Sequence, residues 1–320
     1  MLPRLVVSDL HVMEKTDLTT EHSDLWQLGQ RGSIVLDTPL VMGILNATPD
    51  SFHDGRSDFN DTTRLVESGL AMVRQGAQII DVGGESTRPG ADRIDPAEQC
   101  RRTTELIRQL SARSSCLISI DTTHASVAEA ALEAGAAIVN DVSAGTEDPA
   151  LLALVAERGC GLILMHRRVP PVQDVYSDEY STDPDFGAHG VVSSVGATLT
   201  GHLAAAREVG VAAQQILLDP GLGFGKSVRQ NLELIRGIPE LQTALGRPLL
   251  IGASRKSFIG SILGDRPPSD RLFGSLAVAV LAAESGAAVI RTHDVGPTID
   301  SLQVAEAIRR LSPASGGTIT

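Results

Sequence analysis

Short aliphatic runs alternate along most of the chain with longer segments of helical period. From Pro39 onward each run ends in a polar residue, and a segment rich in Ala, Leu, Glu and Arg follows it. Unbroken aliphatic runs are typical of buried parallel strands. The pattern predicts eight strands, at residues 40–45, 79–80, 117–120, 137–139, 162–165, 216–218, 249–253 and 289–290. It predicts eight helices, at about 61–76, 96–111, 124–135, 149–158, 191–209, 228–245, 269–286 and 296–311.

Eight strand–helix units in succession predict an α/β fold, a (β/α)8 TIM barrel with a short N-terminal extension. A doubly wound open sheet is the alternative, but it has no need for a polar residue at the end of every strand. We therefore predict an extension over residues 1–38 with a short strand near 34–36, a barrel over 39–312, and a tail over 313–320.

Three predicted loops are longer than the two to six residues usual between strand and helix. They cover residues 47–60, 83–95 and 167–190. Long loops on the catalytic face of a barrel are often lids or binding loops. Ordinary turn chemistry is the alternative for the first two, which are rich in Gly, Pro and short polar residues.

Composition narrows the class of protein. A net charge of −12 disfavours a nucleic acid or an anionic membrane as partner, although a local basic pocket still permits an anionic substrate. Aromatic residues make up 3% of the chain, too few for stacking platforms. The three cysteines form no C-x-x-C pair, which predicts a reducing, cytoplasmic location, and no apolar run is long enough to span a membrane.

Polar residues at the strand ends are candidates for chemistry, because active sites lie at that end of such barrels. Asp121, Asn140 and Asp219 would be costly to bury without partners, and a heterocycle with adjacent N–H donors would satisfy them. Capping of the next helices is the alternative for each of them alone. Lys256 is either a donor to such a ring or a solvated surface charge.

Two histidines are interpreted differently. His293 alternates with Arg291 along the eighth strand, so both side chains project to one side, in the region where barrels often bind phosphate. His166 ends the fifth strand without a cysteine or carboxylate at metal-ligand spacing, which favours packing in the core.

Several ordered motifs of this chain together resemble those of the dihydropteroate synthases, which are pterin-binding enzymes. The resemblance covers about residues 39–312. The motifs lie at 42–55, 81–90, 119–122, 140–143, 165–166, 219–226, 252–260 and 291–295. The resemblance implies a transferase of folate biosynthesis that joins 6-hydroxymethyl-7,8-dihydropterin diphosphate to 4-aminobenzoate, giving 7,8-dihydropteroate and pyrophosphate. It also implies Mg²⁺ as cofactor, sensitivity to sulfonamides, and a homodimer formed through helices late in the barrel.

The resemblance also implies roles for individual residues. The pterin would meet Asp121, Asn140, Met165, Asp219 and Lys256. The pyrophosphate would meet Asn46, Arg291 and His293, and Asn46 would also lie at the metal. The 4-aminobenzoate would meet Phe52, Asp54, Thr87, Arg88, Pro89, Phe224 and Ser257. Residues with a catalytic role would be Lys256, Asp121, Asp219, Arg291 and His293.

Departures from the family pattern are modest. Ala47, His53 and Arg56 are unusual in the first long loop, and Arg167 with Arg168 follows the Met-His motif. Two alternatives remain open: a pterin-binding methyltransferase barrel that works with a corrinoid protein, and a paralogue that binds pterin without turning it over. Neither alternative releases pyrophosphate.

Overall fold

The computed structural model describes residues 25–47 and 59–311, and it describes no side chains for residues 59–61. The strands are β1 Leu25–Gln27, β2 Ser33–Val35, β3 Leu40–Asn46, β4 Ile79–Gly83, β5 Leu117–Asp121, β6 Ile138–Asp141, β7 Gly161–Met165, β8 Ile216–Asp219, β9 Leu250–Ile251 and β10 Val289–Thr292. The α-helices are α1 Phe59–Arg74, α2 Pro96–Arg113, α3 Ala125–Ala134, α4 Ala150–Arg158, α5 Gly190–Glu208, α6 Val228–Arg236, α7 Ile238–Leu245, α8 Ser257–Ile262, α9 Leu272–Glu284 and α10 Val295–Arg309.

Strands β3 to β10 form one parallel sheet in the order β8-β7-β6-β5-β4-β3-β10-β9. A bridge between Leu218 and Leu249 joins the two ends of this order and closes the sheet. Helices alternate with the strands around it. The predicted (β/α)8 barrel is confirmed, and the carboxyl ends of its strands meet at one rim.

Two boundaries differ from the prediction for local reasons. The helix predicted over 228–245 is the pair α6 and α7, because Pro239 has no N–H to donate to the carbonyl of Ile235. The strand predicted over 249–253 is β9 alone, because the chain turns after Ile251 toward the short helix α8. The turn brings Lys256 to the N-cap position of α8, directly above the barrel rim.

The described part of the amino-terminal segment packs against one end of the barrel. β1 and β2 form an antiparallel hairpin in which Leu25 pairs with Val35, close to the strand predicted at 34–36. Trp26 is fully buried and donates from Nε1 to the carbonyl of Gln215 over 2.8 Å. It packs with Leu28 against residues at the amino-terminal ends of the barrel strands, including Leu40 and Ile79. The hairpin therefore closes the end of the barrel opposite the rim of polar residues.

Within the parts of the chain that the structure describes, no helix combines the length and the apolar character required to cross a membrane.

Candidate active site

A cavity of about 530 Å³ opens at the carboxyl ends of the strands. Its walls include most of the residues singled out in the sequence, namely Asn46, Thr87, Arg88, Pro89, Asp121, Phe224, Lys256, Ser257, Arg291 and His293. Additional lining residues are Ile44, Glu85, Ser86, Tyr176, Asp178, Gly223, Ser254, Arg255, Pro268 and Arg271. Phe52 and Asp54, predicted from the resemblance, lie outside the described residues.

A cluster of charged side chains lies at the floor of this cavity, where Asp121 and Arg291 are lining residues and the buried Asp81 lies behind them. Arg291 donates from Nε to Oδ2 of Asp81 over 2.7 Å and from Nη2 to Oδ2 of Asp121 over 3.0 Å. Asn140 donates to the same Oδ2 of Asp81 over 3.1 Å. The second carboxylate oxygens of Asp81 and Asp121 and the hydroxyl of Ser119 are buried without a hydrogen-bond partner. Unsatisfied acceptors at the bottom of a cavity are suited to a ligand that carries N–H donors.

Asp81 was not among the predicted site residues. The sequence placed it at the end of the second strand, but β4 continues to Gly83, and Asp81 pairs in register with Ser119. Alternation along a strand then points Asp81 and Ser119 into the barrel, beside Asp121. A charged residue inside an otherwise aliphatic strand was the available signal.

The environment shifts the acidity of the floor residues. Burial, together with the neighbouring charge of Asp81, raises the pKa of Asp121 to about 7, although Arg291 opposes the shift. Burial also raises the pKa of Asp219, and the nearby charge of Lys256 counteracts it. Burial lowers the pKa of Lys256 to about 8. The cost of burying charge, rather than pairing, dominates these shifts.

Three predicted pterin contacts lie deeper than the cavity wall. Asp219 and Met165 are buried and stand opposite one another in the pairing of β7 with β8. Oδ1 of Asp219 accepts a hydrogen bond from the N–H of Gly221 over 2.7 Å. Asn140 stands opposite Asp121 in the pairing of β5 with β6. Four of the predicted pterin residues therefore lie on strands β5 to β8, near their carboxyl ends, but only Asp121 among these four reaches the cavity wall.

Lys256 is half-buried, so the alternative of a solvated surface charge does not hold. Its Nζ donates to the carbonyl of Leu222 and lies 4.6 Å from the centroid of the Phe224 ring. A Cβ on Gly223 would come within 2.9 Å of the lysine side chain, and the φ of Gly223 is +80°. Glycine at this position lets the loop between β8 and α6 approach Lys256.

A second lysine, not predicted as a site residue, lies under the same loop. Lys226 is fully buried and donates from Nζ to the carbonyls of Gly221 over 2.8 Å and Phe224 over 2.9 Å. The same Nζ is 2.9 Å from Nδ1 of His166. Burial lowers the pKa of Lys226 to about 7 and that of His166 to about 2. His166 is buried as predicted, and it helps to hold the loop that carries Phe224.

His293 lies at the cavity wall beside Ser254. Its Nδ1 is 3.1 Å from the Ser254 hydroxyl, which also accepts a hydrogen bond from the backbone N–H of His293 over 3.1 Å. Burial and the charges of Arg291 and Arg255 lower its pKa to about 4. His293 is therefore neutral at pH 7 and offers a hydrogen bond rather than a positive charge.

The long loop after β7 is anchored to the rest of the rim. Asp174 accepts a hydrogen bond from the N–H of Gly225 over 2.9 Å, and the N–H of Ser177 donates to the hydroxyl of Ser257 over 3.0 Å. These contacts bring Tyr176, between the two anchors, to the cavity mouth. Two arginines that the sequence analysis noted as unusual for the family begin this loop. Arg167 donates a hydrogen bond to Glu147, and the guanidinium of Arg168 lies over the ring of Phe186.

The residues present are compatible with Mg²⁺ at the predicted position. Asn46 ends β3, and its Oδ1 lies near the backbone of Gly83, on the same side as Asp121. Mg²⁺ is usually held by one or two protein oxygens together with substrate phosphates and water, rather than by a full cage of side chains. Among residues 25–47 and 59–311, no group of three or more His, Cys, Asp or Glu side chains forms such a cage.

Comparison with known proteins defines the class. The family model for pterin-binding enzymes matches residues 42–293. A dihydropteroate synthase of Synechocystis is 43% identical over 270 residues, which cover 84% of this chain and 90% of the relative. The chain therefore belongs to the pterin-binding enzyme family and, within it, to the dihydropteroate synthases, which are transferases. The family predicted from the sequence is confirmed.

Solved structures agree with this assignment. A dihydropteroate synthase of Xanthomonas albilineans, solved with 4-aminobenzoic acid, matches with a TM-score of 0.81 and 37% identity, covering 90% of this chain and 99% of that one. A dihydropteroate synthase of Yersinia pestis, solved with a sulfonamide drug, matches with a TM-score of 0.79 and 35% identity, covering 88% and 98%.

Proposed function

We propose that this protein condenses 6-hydroxymethyl-7,8-dihydropterin diphosphate with 4-aminobenzoate and releases 7,8-dihydropteroate and pyrophosphate. The observation that carries the proposal is one cavity with two chemically different halves. Its floor is formed by Asp121, which like the buried Asp81 behind it has one carboxylate oxygen without a partner. Its wall combines Arg291 and His293 with the aromatic ring of Phe224. The relatives named above support the same reaction.

The floor would bind the pterin. The amino and ring N–H groups of a 2-amino-4-oxo heterocycle form an amidine-like edge, which an ionised carboxylate accepts with two parallel bonds. Asp121, Asn140 and Asp219 supply the acceptors, and Met165 contributes apolar surface below them. Lys256 would donate to the ring carbonyl or a ring nitrogen, since it lines the cavity and its charge acts on Asp219.

The diphosphate would lie between Asn46, Arg291 and His293. Arg291 keeps its positive charge, and neutral His293 donates a hydrogen bond, so both stabilise negative charge that develops on the leaving oxygen. Asn46 would hold Mg²⁺ jointly with the diphosphate oxygens. When bound, the metal ion would neutralise charge on the leaving group.

The 4-aminobenzoate would lie toward the mouth. Phe224 offers a ring face, Thr87, Arg88 and Pro89 come from the loop after β4, and Ser257 begins α8. From the resemblance, Phe52 and Asp54 would complete this half. We expect sulfonamides to occupy the same half, because they share the aryl amine and an acidic group opposite to it.

The reaction requires no strong protein base. The lone pair of an aryl amine is delocalised into its ring, so a route in which the carbon–oxygen bond breaks first is favoured. The diphosphate leaves with the bonding electrons, and the positive charge on the methylene carbon spreads into the dihydropterin, held by Asp121, Asn140 and Asp219. The amine nitrogen then forms the new carbon–nitrogen bond and loses a proton to water.

A pyrophosphate-release assay on purified protein with both substrates tests the proposal. We expect pyrophosphate and dihydropteroate in equal amounts, and none when 4-aminobenzoate is omitted. A corrinoid-dependent methyltransferase would release no pyrophosphate. A binder without activity would give heat in a pterin titration and no product.

We also propose a homodimer formed through helices late in the barrel. Several large apolar side chains are exposed on α9 and α10, among them Phe273, Leu281, Val304 and Ile308. Sedimentation equilibrium measures the oligomeric state directly, and a monomer at micromolar concentration would contradict the proposed dimer.

The cytoplasmic location stays a prediction.

A further inference from the structure

An ionic network joins the loop after β4 to two other loops of the rim. Arg93 lies near the end of that loop, and its guanidinium is 3.4 Å from Glu85, which begins the loop. The same side chain reaches Glu147, between β6 and α4, over 2.5 Å and the hydroxyl of Thr123 over 2.9 Å. One arginine therefore ties both ends of this loop to its neighbour.

Glu147 is the centre of the network. Its Oε2 accepts hydrogen bonds from Arg93 and, over 2.7 Å, from Thr123, while its Oε1 accepts one from Arg167. The side chain of Arg167 is 8% exposed, so this ion pair is largely removed from water. Burial alone would raise the pKa of Glu147, but hydrogen bonds from Thr123 and Arg167 lower it overall. The carboxylate stays charged between two arginines.

Two hydrogen bonds donated by backbone N–H groups also hold the loop after β4. Glu85 accepts a hydrogen bond from the N–H of Ile94 over 2.6 Å, so the loop closes on itself. The N–H of Gly90 donates to the carbonyl of Pro171, in the loop after β7, over 2.8 Å. Residues 86–89 are thus held between Glu85 on one side and Gly90 with Arg93 on the other. These are the residues that line the cavity mouth.

We propose that Glu147, bridging Arg93 and Arg167, is a positioning residue that presets Thr87, Arg88 and Pro89 as one wall of the aryl-amine half of the cavity. The inference rests on the proposed function and deepens it, because it assigns the preorganisation of one substrate's site to a residue that does not line the cavity. Holding the loop beforehand removes the ordering cost that binding would otherwise carry. The proposal also assigns a role to Arg167, which is unusual for the family at this position: it holds the carboxylate of Glu147 in place.

Substitution of Glu147→Gln tests the proposal. The variant keeps the shape of the side chain but removes the charge that both arginines share. We expect the KM for 4-aminobenzoate to rise about fivefold to tenfold, as the competent loop conformation becomes less populated. The kcat and the KM for the pterin diphosphate should stay near those of the parent. The backbone amides of residues 86–93, which exclude that of Pro89, should exchange hydrogen faster in the unliganded variant.

The matched control is Glu67→Gln, which breaks an ion pair with Arg113 at 2.6 Å, far from the cavity and about half exposed. It should change neither the KM nor the exchange rates. If Glu147→Gln does not fold, Arg167→Lys provides the second variant, because it keeps the charge but loses the planar guanidinium, and a smaller rise in the same KM is expected.

Two results would overturn the inference: unchanged KM and exchange rates in an active variant, or equal increases in the KM values of both substrates. Failure of the proposed function has a different signature. The parent would then release no pyrophosphate, while faster exchange of residues 86–93 in Glu147→Gln would still report the loss of the network.

Discussion

Nε of Arg291 donates to Oδ2 of Asp81 over 2.7 Å, across the barrel interior from β10 to β4. The same guanidinium also contacts Asp121, so one cation serves two buried carboxylates. Arg291 therefore cannot be assigned to the diphosphate alone. Its replacement by alanine would leave both carboxylates unpaired and would disturb the pterin half of the cavity as well.

Asp81→Asn should change the pH dependence of catalysis. The charge of Asp81 contributes to the raised pKa of Asp121, which is about 7. If the ionised form of Asp121 accepts the pterin, kcat/KM for the pterin diphosphate rises with pH through that value in the parent. Removing the charge at residue 81 lowers the pKa of Asp121, so the acidic limb should move to lower pH. A limb at the same pH in both proteins would contradict the coupling.

Asp219→Asn should be severe for catalysis and mild for folding. The asparagine oxygen can still accept from the N–H of Gly221, but its NH₂ group would face a donor of the pterin. Loss of a charge-assisted hydrogen bond of about 1.5–3 kcal/mol corresponds to a decrease in kcat/KM of roughly 10- to 140-fold. We expect a larger loss than for Asp121→Ala. A rate close to the parent's would show that the pterin is held elsewhere.

Lys256→Met should reduce activity without a large loss of stability. Methionine is similar in length and can still pack against Phe224, but it cannot donate to the carbonyl of Leu222 or to a ligand. We expect kcat/KM to fall by about tenfold or more, which corresponds to one hydrogen bond to a charged group. Steady-state kinetics and a thermal melt measure both effects, with Arg158→Met, at an exposed ion pair, as control. Kinetics identical to the parent's would exclude Lys256 from the site.

Pyrophosphate with Mg²⁺ should strengthen binding of 4-aminobenzoate and of sulfonamides. The diphosphate residues Asn46 and Arg291 line the same cavity as the aryl-amine half, and residues 47–60 follow Asn46 directly. From the sequence we expect this loop, of which residues 48–58 lie outside the described part of the chain, to close when the diphosphate half is filled. A ligand whose site forms only in a less populated state binds more weakly until that state is favoured. Calorimetric titrations with and without pyrophosphate test this. Equal sulfonamide affinities would mean that the pocket is preformed in full.

Trp26→Ala should destabilise the fold and leave substrate affinity unchanged. The indole is fully buried at the end of the barrel opposite the cavity and donates to Gln215. Truncation of a buried aromatic side chain costs about 3–5 kcal/mol in the free energy of unfolding. Trp26 is the only tryptophan, so its substitution removes the usual fluorescence probe of unfolding. Urea unfolding is therefore followed by circular dichroism. Val35→Ala, at an exposed position of the same hairpin, should have little effect; a similar loss there would mean that Trp26 is not the anchor.

The barrel and much of its rim followed from local pattern. Aliphatic runs, helical periods and polar strand ends depend on neighbouring residues, and a parallel barrel brings all strand ends to one rim wherever they lie in the chain. Asp121, Arg291 and Lys256 were therefore predictable as candidates, and the cavity contains all three. The roles of individual residues came from resemblance and stay predictions.

Tertiary structure decided which of the polar residues form ion pairs and hydrogen bonds with one another. Asp81 meets Arg291 across 210 positions of sequence, and Lys226 meets His166 across 60. Glu147 lies between two arginines from different loops. Such contacts depend on the direction in which each side chain points once the sheet has closed, and on burial that shifts acidity only after water is excluded. Neither quantity is local, so residue order alone determined the fold but not the electrostatics of its site.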